Sequence, residues 1–376
     1  MIPFNRPYLT GKETRYIKQA VLSGKISGNG LFTSKCHQFF EREYGFKKVL
    51  LTTSCTDALE MAALLIDVCP DDEIIVPSFT FVSTANAFVM RGAKIVFVDS
   101  SEQSPHLNAD LIESFITSKT KAIVPVHYAG IACDMEKIMS LAERYCLFVI
   151  EDVAHSVDSF YKGKPLGSIG HLAAFSFHET KNVIAGEGGM LAVNDDRFAK
   201  RAEIIWEKGT NRAEFFRGEV DKYGWVDVGS SFLPSEITAA FLFAQLENMD
   251  RIQEKRKKIW EQYHTGLKPL EDLGLLRLPK IPDYATKNGH LFYIICRTLA
   301  ERDGLLSHLR AKDILAVFHY LSLHTSPFYR NRHDGRKLRW SDFYSQNLIR
   351  LPLFYELSDK QVNYIVQSVL DFFSDY

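Results

Sequence analysis

The sequence predicts an α/β fold, in which a mostly parallel sheet is covered by helices on both faces, followed by a smaller second domain. Three observations lead to this prediction. Short runs rich in Val, Ile and Phe recur through the first half, and they are apolar on both faces. Stretches with helical spacing of apolar residues separate these runs. After Gly229 the pattern changes to one long helix followed by shorter elements. Strands that alternate with helices are typical of a parallel sheet buried on both sides.

The predicted strands of the first domain are residues 73–77, 94–99, 122–127, 147–152, 173–177 and 189–193. Helical spacing of apolar residues predicts helices over 56–66, 81–90 and 135–145. Ligands of doubly wound sheets bind at the carboxyl ends of the strands. Several polar residues lie at or near such ends, namely Asp99, His127, Asp152 and Ser176.

The second half predicts a small α+β domain. Residues 234–266 have the pattern of one long helix, which would link the domains. Strands over 291–296 and 315–320 flank a helix over 303–312, and a last helix carries Val362, Ile365, Val366, Val369 and Phe373. We therefore predict a large domain over residues 1–250 and a small domain over 251–376.

Composition excludes several classes of partner. The 376 residues carry 45 basic and 46 acidic side chains, which gives no support to nucleic acid or an anionic membrane as the main partner. The six cysteines show no C-x-x-C spacing, which predicts a reduced, intracellular protein without a thiolate metal site. No apolar run is long enough to span a bilayer, so we expect no membrane insertion and a cytoplasmic protein.

Lys181 and Asp152 are the candidate catalytic residues. Lys181 precedes a Gly-rich run at 186–189, and Asp152 ends the apolar run 147–152. A lysine on a loop and an aspartate at a strand end suit pyridoxal phosphate, since the lysine forms the imine and the aspartate keeps the pyridine nitrogen protonated. The alternatives are a solvated surface lysine and an ordinary strand-end acid. His155 lies three residues after Asp152, within reach of the phenolic oxygen of the same ring.

Two further segments suit the same cofactor. Cys55 and Thr56 open a helix after a short apolar run, and free N–H groups at a helix start bind phosphate. Taken alone, an ordinary N-cap explains this segment better. Phe81 follows the strand 73–77 and could stack on a planar ring, although an aromatic residue at a helix start is more often part of the core.

In their order and spacing these segments resemble the DegT/DnrJ/EryC1/StrS family of sugar aminotransferases over nearly the whole chain. The matching stretches include Ser54-Cys55-Thr56-Asp57-Ala58-Leu59, Glu151-Asp152-Val153-Ala154-His155 and Phe175-Ser176-Phe177-His178-Glu179-Thr180-Lys181. The resemblance implies fold type I of the pyridoxal phosphate enzymes, with a seven-stranded, mostly parallel sheet and a small C-terminal domain. It also implies a homodimer in which the two subunits share the active sites.

The resemblance assigns expected roles residue by residue. Lys181 is the imine lysine, Asp152 pairs with the pyridine nitrogen, and His155 stands where many relatives have Gln beside the ring oxygen. Phe81 takes the position of the stacking aromatic residue. The phosphate positions are Cys55, Thr56 and Ser176. Relatives often carry Asn in a segment that reaches the partner's phosphate; here Ser231 replaces that Asn and Leu233 an Arg.

Within the family, residues 177–182, 208–212 and 215–218 resemble the subgroup that aminates dTDP-4-oxo-6-deoxyglucose at C4. That resemblance implies glutamate as the amino donor and dTDP-4-amino-4,6-dideoxygalactose, used in enterobacterial common antigen, as the product. The substrate candidates are His178, Arg212, Lys222, Tyr320 and His324.

Other functions remain open or are disfavoured. A 3-aminotransferase acting on a 3-oxo sugar would share every cofactor residue. A family dehydratase would carry His in place of Lys181, and a non-catalytic cofactor-binding regulatory module would be expected to lack Lys181 or Asp152. A nicotinamide-dependent oxidoreductase is disfavoured because no G-x-G-x-x-G follows an early strand.

Overall fold

The computed structural model describes residues 1–374 and contains two main sheets. The helices are α1 (Glu13–Leu22), α2 (Leu31–Tyr44), α3 (Cys55–Leu65), α4 (Ser83–Val89), α5 (Ala109–Ile112), α6 (Met135–Tyr145), α7 (Asp196–Trp206), α8 (Arg212–Phe216), α9 (Glu236–Leu246), α10 (Met249–Asp272), α11 (Leu299–Ala311), α12 (Arg339–Asn347) and α13 (Asp359–Ser374). The strands are β1 (Lys48–Thr52), β2 (Glu73–Pro77), β3 (Lys94–Val98), β4 (Thr120–Ile123), β5 (Phe148–Asp152), β6 (Phe160–Tyr161), β7 (Lys164–Pro165), β8 (Leu172–Ser176), β9 (Gly189–Val193), β10 (Leu276–Arg277), β11 (Phe292–Cys296), β12 (Val317–Phe318) and β13 (Leu348–Leu351).

The large sheet has seven strands in the order β1-β9-β8-β5-β4-β2-β3. Neighbouring strands run parallel from β8 to β3, whereas β9 is antiparallel to both β1 and β8. Strands β2, β8 and β9 are buried at every residue, as expected for a sheet with helices on both faces. The predicted α/β class with a mostly parallel seven-stranded sheet is confirmed.

Two apolar clusters cover the faces of this sheet. One joins helices α2, α6 and α9 to the sheet, and the other joins α3, α4 and α7 to it. Because successive side chains of a strand point to opposite faces, neighbouring residues of one strand belong to different clusters, as Val149 and Ile150 do.

The small sheet is antiparallel, in the order β10-β11-β13-β12. Its core is formed with α10, α11 and α13, and it includes Phe292, Ile294, Ile349 and Leu351. A separate cluster with Phe79, Tyr128, Tyr293 and Tyr344 fills the space between the small sheet and the carboxyl edge of the large one. The boundary at residue 250 falls in the first turn of α10 and stays a prediction.

The single long helix predicted over 234–266 is wrong. Helix α9 ends at Leu246, and α10 begins at Met249. The Asn248 side chain donates a hydrogen bond from Nδ2 to the Ala244 carbonyl at 3.0 Å. Asn favours such local side-chain bonds over continuation of a helix, which accounts for the break.

Candidate active site

Four strand ends meet at one edge of the large sheet and bring the predicted cofactor residues together. Asp152 of β5 lies opposite Ala174 of the parallel strand β8, which ends at Ser176. Ser176 and Thr52 both pair with Gly189 at the start of β9. The chain leaves Thr52 into α3, so Cys55 and Thr56 lie at the same edge.

The N-terminus of α3, called the α3 cradle below, presents backbone N–H groups that are free to donate hydrogen bonds. Ser54 caps the helix by accepting a hydrogen bond from the Asp57 N–H at 3.1 Å, and the first-turn N–H groups of Cys55 and Thr56 have no intrahelical acceptor. A Cβ on Gly189 would lie 2.3 Å from the Ser54 carbonyl carbon and 2.4 Å from the Cys55 nitrogen. Glycine is therefore required where β9 begins beside this helix end. The Thr56 hydroxyl hydrogen-bonds the Ser83 hydroxyl at 2.8 Å. Amide and hydroxyl donors at a helix start suit a phosphate group.

Lys181 lies half-buried on the loop after β8. Burial is the main cause that lowers its pKa to about 8; the Arg350 charge lowers it further, while Cys55 and Asp152 act in the opposite direction. A lysine with such a pKa is substantially neutral near pH 8, whereas an ordinary lysine is not. Behind Lys181, the buried Asn182 side chain donates to the Gln253 side chain at 2.7 Å and to the Asn288 carbonyl at 2.9 Å. These bonds fix the loop that carries the lysine.

The buried carboxyl group of Asp152 accepts few hydrogen bonds. Its Oδ2 accepts from the Thr84 hydroxyl at 2.8 Å and its Oδ1 from the Ala154 N–H at 3.1 Å. Burial raises its pKa, and the Thr84 hydrogen bond, the Ala154 N–H and the Lys181 charge counteract only part of this effect. A cationic partner would hold the carboxylate ionised.

Tyr320 follows β12 of the small sheet and meets His155, which follows β5 of the large sheet. The Tyr320 hydroxyl lies 3.3 Å from His155 Nε2, and the Ala129 N–H donates to His155 Nδ1 at 3.3 Å. The His155 ring stacks on the His290 ring at 4.3 Å, and burial lowers the His155 pKa well below its ordinary value. The Phe81 ring, 56% exposed, lies 6.2 Å from the Tyr320 ring. A planar group entering here would meet an accessible aromatic face.

The remaining predicted residues are placed differently. His178 Nδ1 lies 2.9 Å from the Thr180 hydroxyl, close in sequence to Ser176. His324 is buried and hydrogen-bonds the Ser78 hydroxyl through Nδ1 at 2.8 Å, so this nitrogen is already engaged. The exposed residues of the group lie on the segment after α7 and are Arg212, Lys222 and Ser231.

Five further residues that contact or influence the predicted site residues are not predicted from the sequence, namely Ser83, Thr84, Asn182, His290 and Arg350. Ser83 and Thr84 lie two and three residues after Phe81, so their closeness to a predicted site residue was the available signal. His290 and Arg350 come from distant parts of the chain, and only the docking of the small sheet brings them to the site.

Comparison with known proteins decides the family. The sequence profile described as the DegT/DnrJ/EryC1/StrS aminotransferase family matches residues 7–370. This chain belongs to the DegT/DnrJ/EryC1/StrS aminotransferase family. It is 34% identical to the GDP-perosamine synthase of Escherichia coli O157:H7, over 100% of this chain and 99% of that protein. It is 31% identical to the uncharacterized protein MJ1066 of Methanocaldococcus jannaschii, over 98% and 96% of the two chains.

Solved structures of the family have the same fold. The putative sugar aminotransferase Spr1654 from Streptococcus pneumoniae, in its PMP form, superposes with a TM-score of 0.91 at 27% identity, over 100% of both chains. Its PLP form gives the same TM-score at 26% identity, over 100% of this chain and 99% of that one. The DegT/DnrJ/EryC1/StrS member described here is a PLP-dependent nucleotide-sugar aminotransferase. None of the helices within residues 1–374 is both long and apolar enough to cross a membrane.

Proposed function

We propose that this aminotransferase moves the amino group of glutamate to C4 of a dTDP-4-oxo-6-deoxyhexose and forms dTDP-4-amino-4,6-dideoxy-D-galactose. The observation that carries the proposal is the low-pKa lysine, Lys181, beside the buried Asp152 at the carboxyl edge of the sheet. The choice of sugar rests on the resemblance of residues 177–182, 208–212 and 215–218 to the subgroup with that activity.

The side chains at the site fit pyridoxal phosphate. When bound, this cofactor supplies an electron sink for the carbon that loses or gains a proton. The amides of the α3 cradle, with the Thr56 and Ser176 hydroxyls and Cys55 beside them, would hold the phosphate. Asp152 would pair with the ring nitrogen, whose positive charge would offset the burial of the carboxylate. Phe81 would stack on the ring, and His155 would lie beside the ring oxygen.

Lys181 acts twice. It would hold the cofactor covalently, which requires a neutral amine, and a pKa of about 8 makes that form available. As a free amine, Lys181 Nζ would take the proton from the donor's Cα in the first half of the reaction and would deliver a proton to C4 of the sugar in the second half.

A GDP-linked oxo sugar is the second candidate substrate. The observation that favours it is the relationship, at 34% identity over the whole chain, to an E. coli protein named GDP-perosamine synthase. The cofactor residues are the same for both substrates, so the nucleotide and the reacting carbon have to be separated by assay.

A homodimer completes the proposal. The segment that follows α7 exposes large apolar side chains, with Trp225 85% exposed and Phe216 69% exposed, and it also carries Arg212, Lys222 and Ser231. Exposed apolar groups of this size are typical of interaction surfaces. Contact with a second copy of the chain would cover them and bring Ser231 toward the partner's phosphate site.

The test is a panel of dTDP- and GDP-linked 4-oxo and 3-oxo sugars with glutamate as donor, with the configuration of the amino product determined by NMR. We expect conversion of the dTDP-4-oxo sugar and an amino group at C4 in the galacto configuration. Faster turnover of a GDP-linked or 3-oxo substrate would replace the proposed substrate without changing the reaction class.

The covalent residue and the assembly are tested separately. Borohydride reduction of the cofactor-loaded enzyme, followed by peptide mapping, should label the peptide that contains Lys181, and Lys181→Ala should abolish the label. Sedimentation should give twice the 42.9 kDa chain mass. A Trp225→Glu variant should shift the protein toward the monomer, and a monomeric wild-type enzyme with full activity would contradict the shared site.

A further inference from the structure

A cavity of about 830 Å³ lies beside the β10 edge of the small sheet. It is lined by β10, the end of β11 and helix α12, and within residues 1–374 its walls include none of the predicted cofactor or substrate residues. Tyr320 of the active site follows β12, the opposite edge of the sheet. Three strand spacings of about 4.8 Å separate the two edges by roughly 14 Å. The cavity is therefore distinct from the site that contains Lys181.

The walls of this cavity carry more cations than anions. Its charged lining residues are Arg277, Arg297, Lys337 and Arg339, against the single carboxylate of Asp342. Arg297 is paired with Glu301 at 2.6 Å, and Asp342 Oδ2 lies 3.7 Å from His324 Nε2. Among residues 1–374, no carboxylate lies within 4.0 Å of the other three basic groups. The cavity thus presents excess positive charge to a ligand.

The Arg277 guanidinium is held in place but keeps unused hydrogen-bonding capacity. Its Nη1 donates to the Glu102 carbonyl at 3.0 Å, and its central carbon lies 4.8 Å from the centre of the Phe343 ring. Its Nη2 is buried and has no hydrogen-bond partner among the described residues. Because a buried donor of a charged group is costly to leave unpaired, an acceptor in the cavity would stabilise this side chain.

Trp340 brings a second guanidinium beside the first. The central carbon of Arg339 lies 4.9 Å from the centre of the Trp340 ring, and that of Arg277 lies 6.0 Å from the same centre. An arginine that packs on an aromatic ring is already partly ordered, so it loses less freedom when it binds an anion. Each planar guanidinium can donate to two phosphate oxygens at once. Two of them beside one ring suit a diphosphate better than a single carboxylate.

We propose that this cavity is a second binding site, which takes an organic diphosphate of the nucleotide type. Arg277 and Arg339 bind the phosphate oxygens, and Lys337 adds charge. The half-buried rings of Trp340 and Phe343 supply apolar wall for the organic part. Cavities of about 300–1,000 Å³ hold ligands of the size of small organic molecules, so an inorganic anion alone would leave most of this one unfilled. The inference does not depend on the sugar substrate proposed above.

Trp340 reports occupancy of the cavity because it forms part of the wall. Tryptophan fluorescence of the PLP-loaded enzyme is titrated with ADP, dTDP, pyrophosphate and thymidine. The difference between the wild type and Trp340→Phe isolates the response of Trp340 from that of the other tryptophans. The test variants are Arg277→Gln and Arg339→Gln. The matched control is Arg332→Gln, because Arg332 is exposed, packs 4.2 Å from the centre of the Phe328 ring and does not line the cavity.

Both nucleotides should change the fluorescence of Trp340, pyrophosphate should bind more weakly, and thymidine should give no response. Loss of a charge-assisted pair predicts that Arg277→Gln weakens ADP binding about tenfold or more and Arg339→Gln, at an exposed site, about three- to tenfold. Arg332→Gln should match the wild type. The reaction of the PLP-loaded enzyme with glutamate contains no nucleotide, so its rate should be unchanged in both cavity variants.

Several results would overturn the inference. No response of Trp340 to either nucleotide, or nucleotide affinities that both cavity variants leave unchanged, would show that the cavity does not bind this class of ligand. Equal affinities for pyrophosphate and ADP would make it a site for inorganic anions alone. A slower reaction with glutamate in both variants would assign the arginines to the active site. Sedimentation of either variant as a smaller species would assign the cavity to a contact between copies of the chain.

Discussion

The lowered pKa of Lys181 predicts how the cofactor-free enzyme reloads as pH changes. Pyridoxal phosphate reacts with the neutral amine, so the association rate follows the neutral fraction of Lys181. With a pKa of about 8, roughly a quarter of the lysines are neutral at pH 7.5, against about one in a thousand for the ordinary pKa of 10.5. Burial thus accelerates reloading about 200-fold at this pH. Because the shift is downward, the rate should rise about tenfold per pH unit below pH 8 and level off above pH 9.

The assay is stopped-flow absorbance of cofactor association with the cofactor-free enzyme between pH 6 and pH 10. Nα-acetyl-lysine in the same buffers is the reference amine, since the ratio of the two rates removes the titration of the cofactor itself. The reference rate should keep rising toward its own pKa, while the enzyme rate becomes constant. An enzyme rate that continues to rise tenfold per unit between pH 8 and pH 10 would refute a desolvated Lys181.

Three further variants test the site and its support. Asp152→Asn should retain cofactor but lose turnover by about 100-fold or more, and near-normal turnover would argue against the pairing with the ring nitrogen. Because burial raises the pKa of Asp152, the cofactor-free variant should unfold at a temperature no lower than that of the wild type. Phe81→Ala should weaken cofactor binding about three- to tenfold through lost stacking, and an unchanged dissociation constant would place Phe81 off the ring. Glu236→Gln should lower the unfolding free energy in urea by about 2–4 kcal/mol, because its carboxylate accepts three backbone N–H groups of residues 30–33; an unchanged urea midpoint would show that these bonds contribute little.

The sheet was predictable where strands are buried on both faces. The predicted strands 73–77 and 189–193 coincide with β2 and β9, and 147–152 exceeds β5 by one residue. The predicted strand 122–127 is displaced from β4, which spans Thr120–Ile123. Pro125 has no N–H and interrupts the ladder, and beyond it only the isolated bridge between Val126 and Asp152 continues the pairing with β5. Apolar continuity thus located strands well, but it did not show where pairing stops.

The phosphate cradle and Asp152 could be anticipated because they are local features, a helix start and a strand end. The contribution of the small domain could not. Arg350 lies in a short strand, 169 residues after Lys181, and its position depends on how β12 and β13 pair and dock. His324 shows the opposite error. Its segment was singled out, but the fold turns its Nδ1 toward Ser78. Such side-chain directions follow from tertiary packing rather than from spacing.

The adjacent acids Glu151 and Asp152 show how one strand end can give two carboxylates different tasks. Successive side chains of β5 point to opposite faces. Glu151 accepts hydrogen bonds from the backbone N–H groups of residues 167, 169 and 170, and its Oε2 lies 3.0 Å from His127 Nε2. Burial acts to raise its pKa, but these partners outweigh burial and lower it.

Asp152 on the other face is equally enclosed but receives only the Thr84 hydroxyl and one N–H, so burial prevails and its pKa is raised. Glu151 is therefore satisfied by the protein and stabilises the turn of residues 167–170 that precedes β8. Asp152 is left short of one cationic partner, and this deficit lies on the side where Lys181 stands. The site thus presents a carboxylate that needs a cation, and a protonated pyridine ring is the cation that the proposed reaction would bring to it.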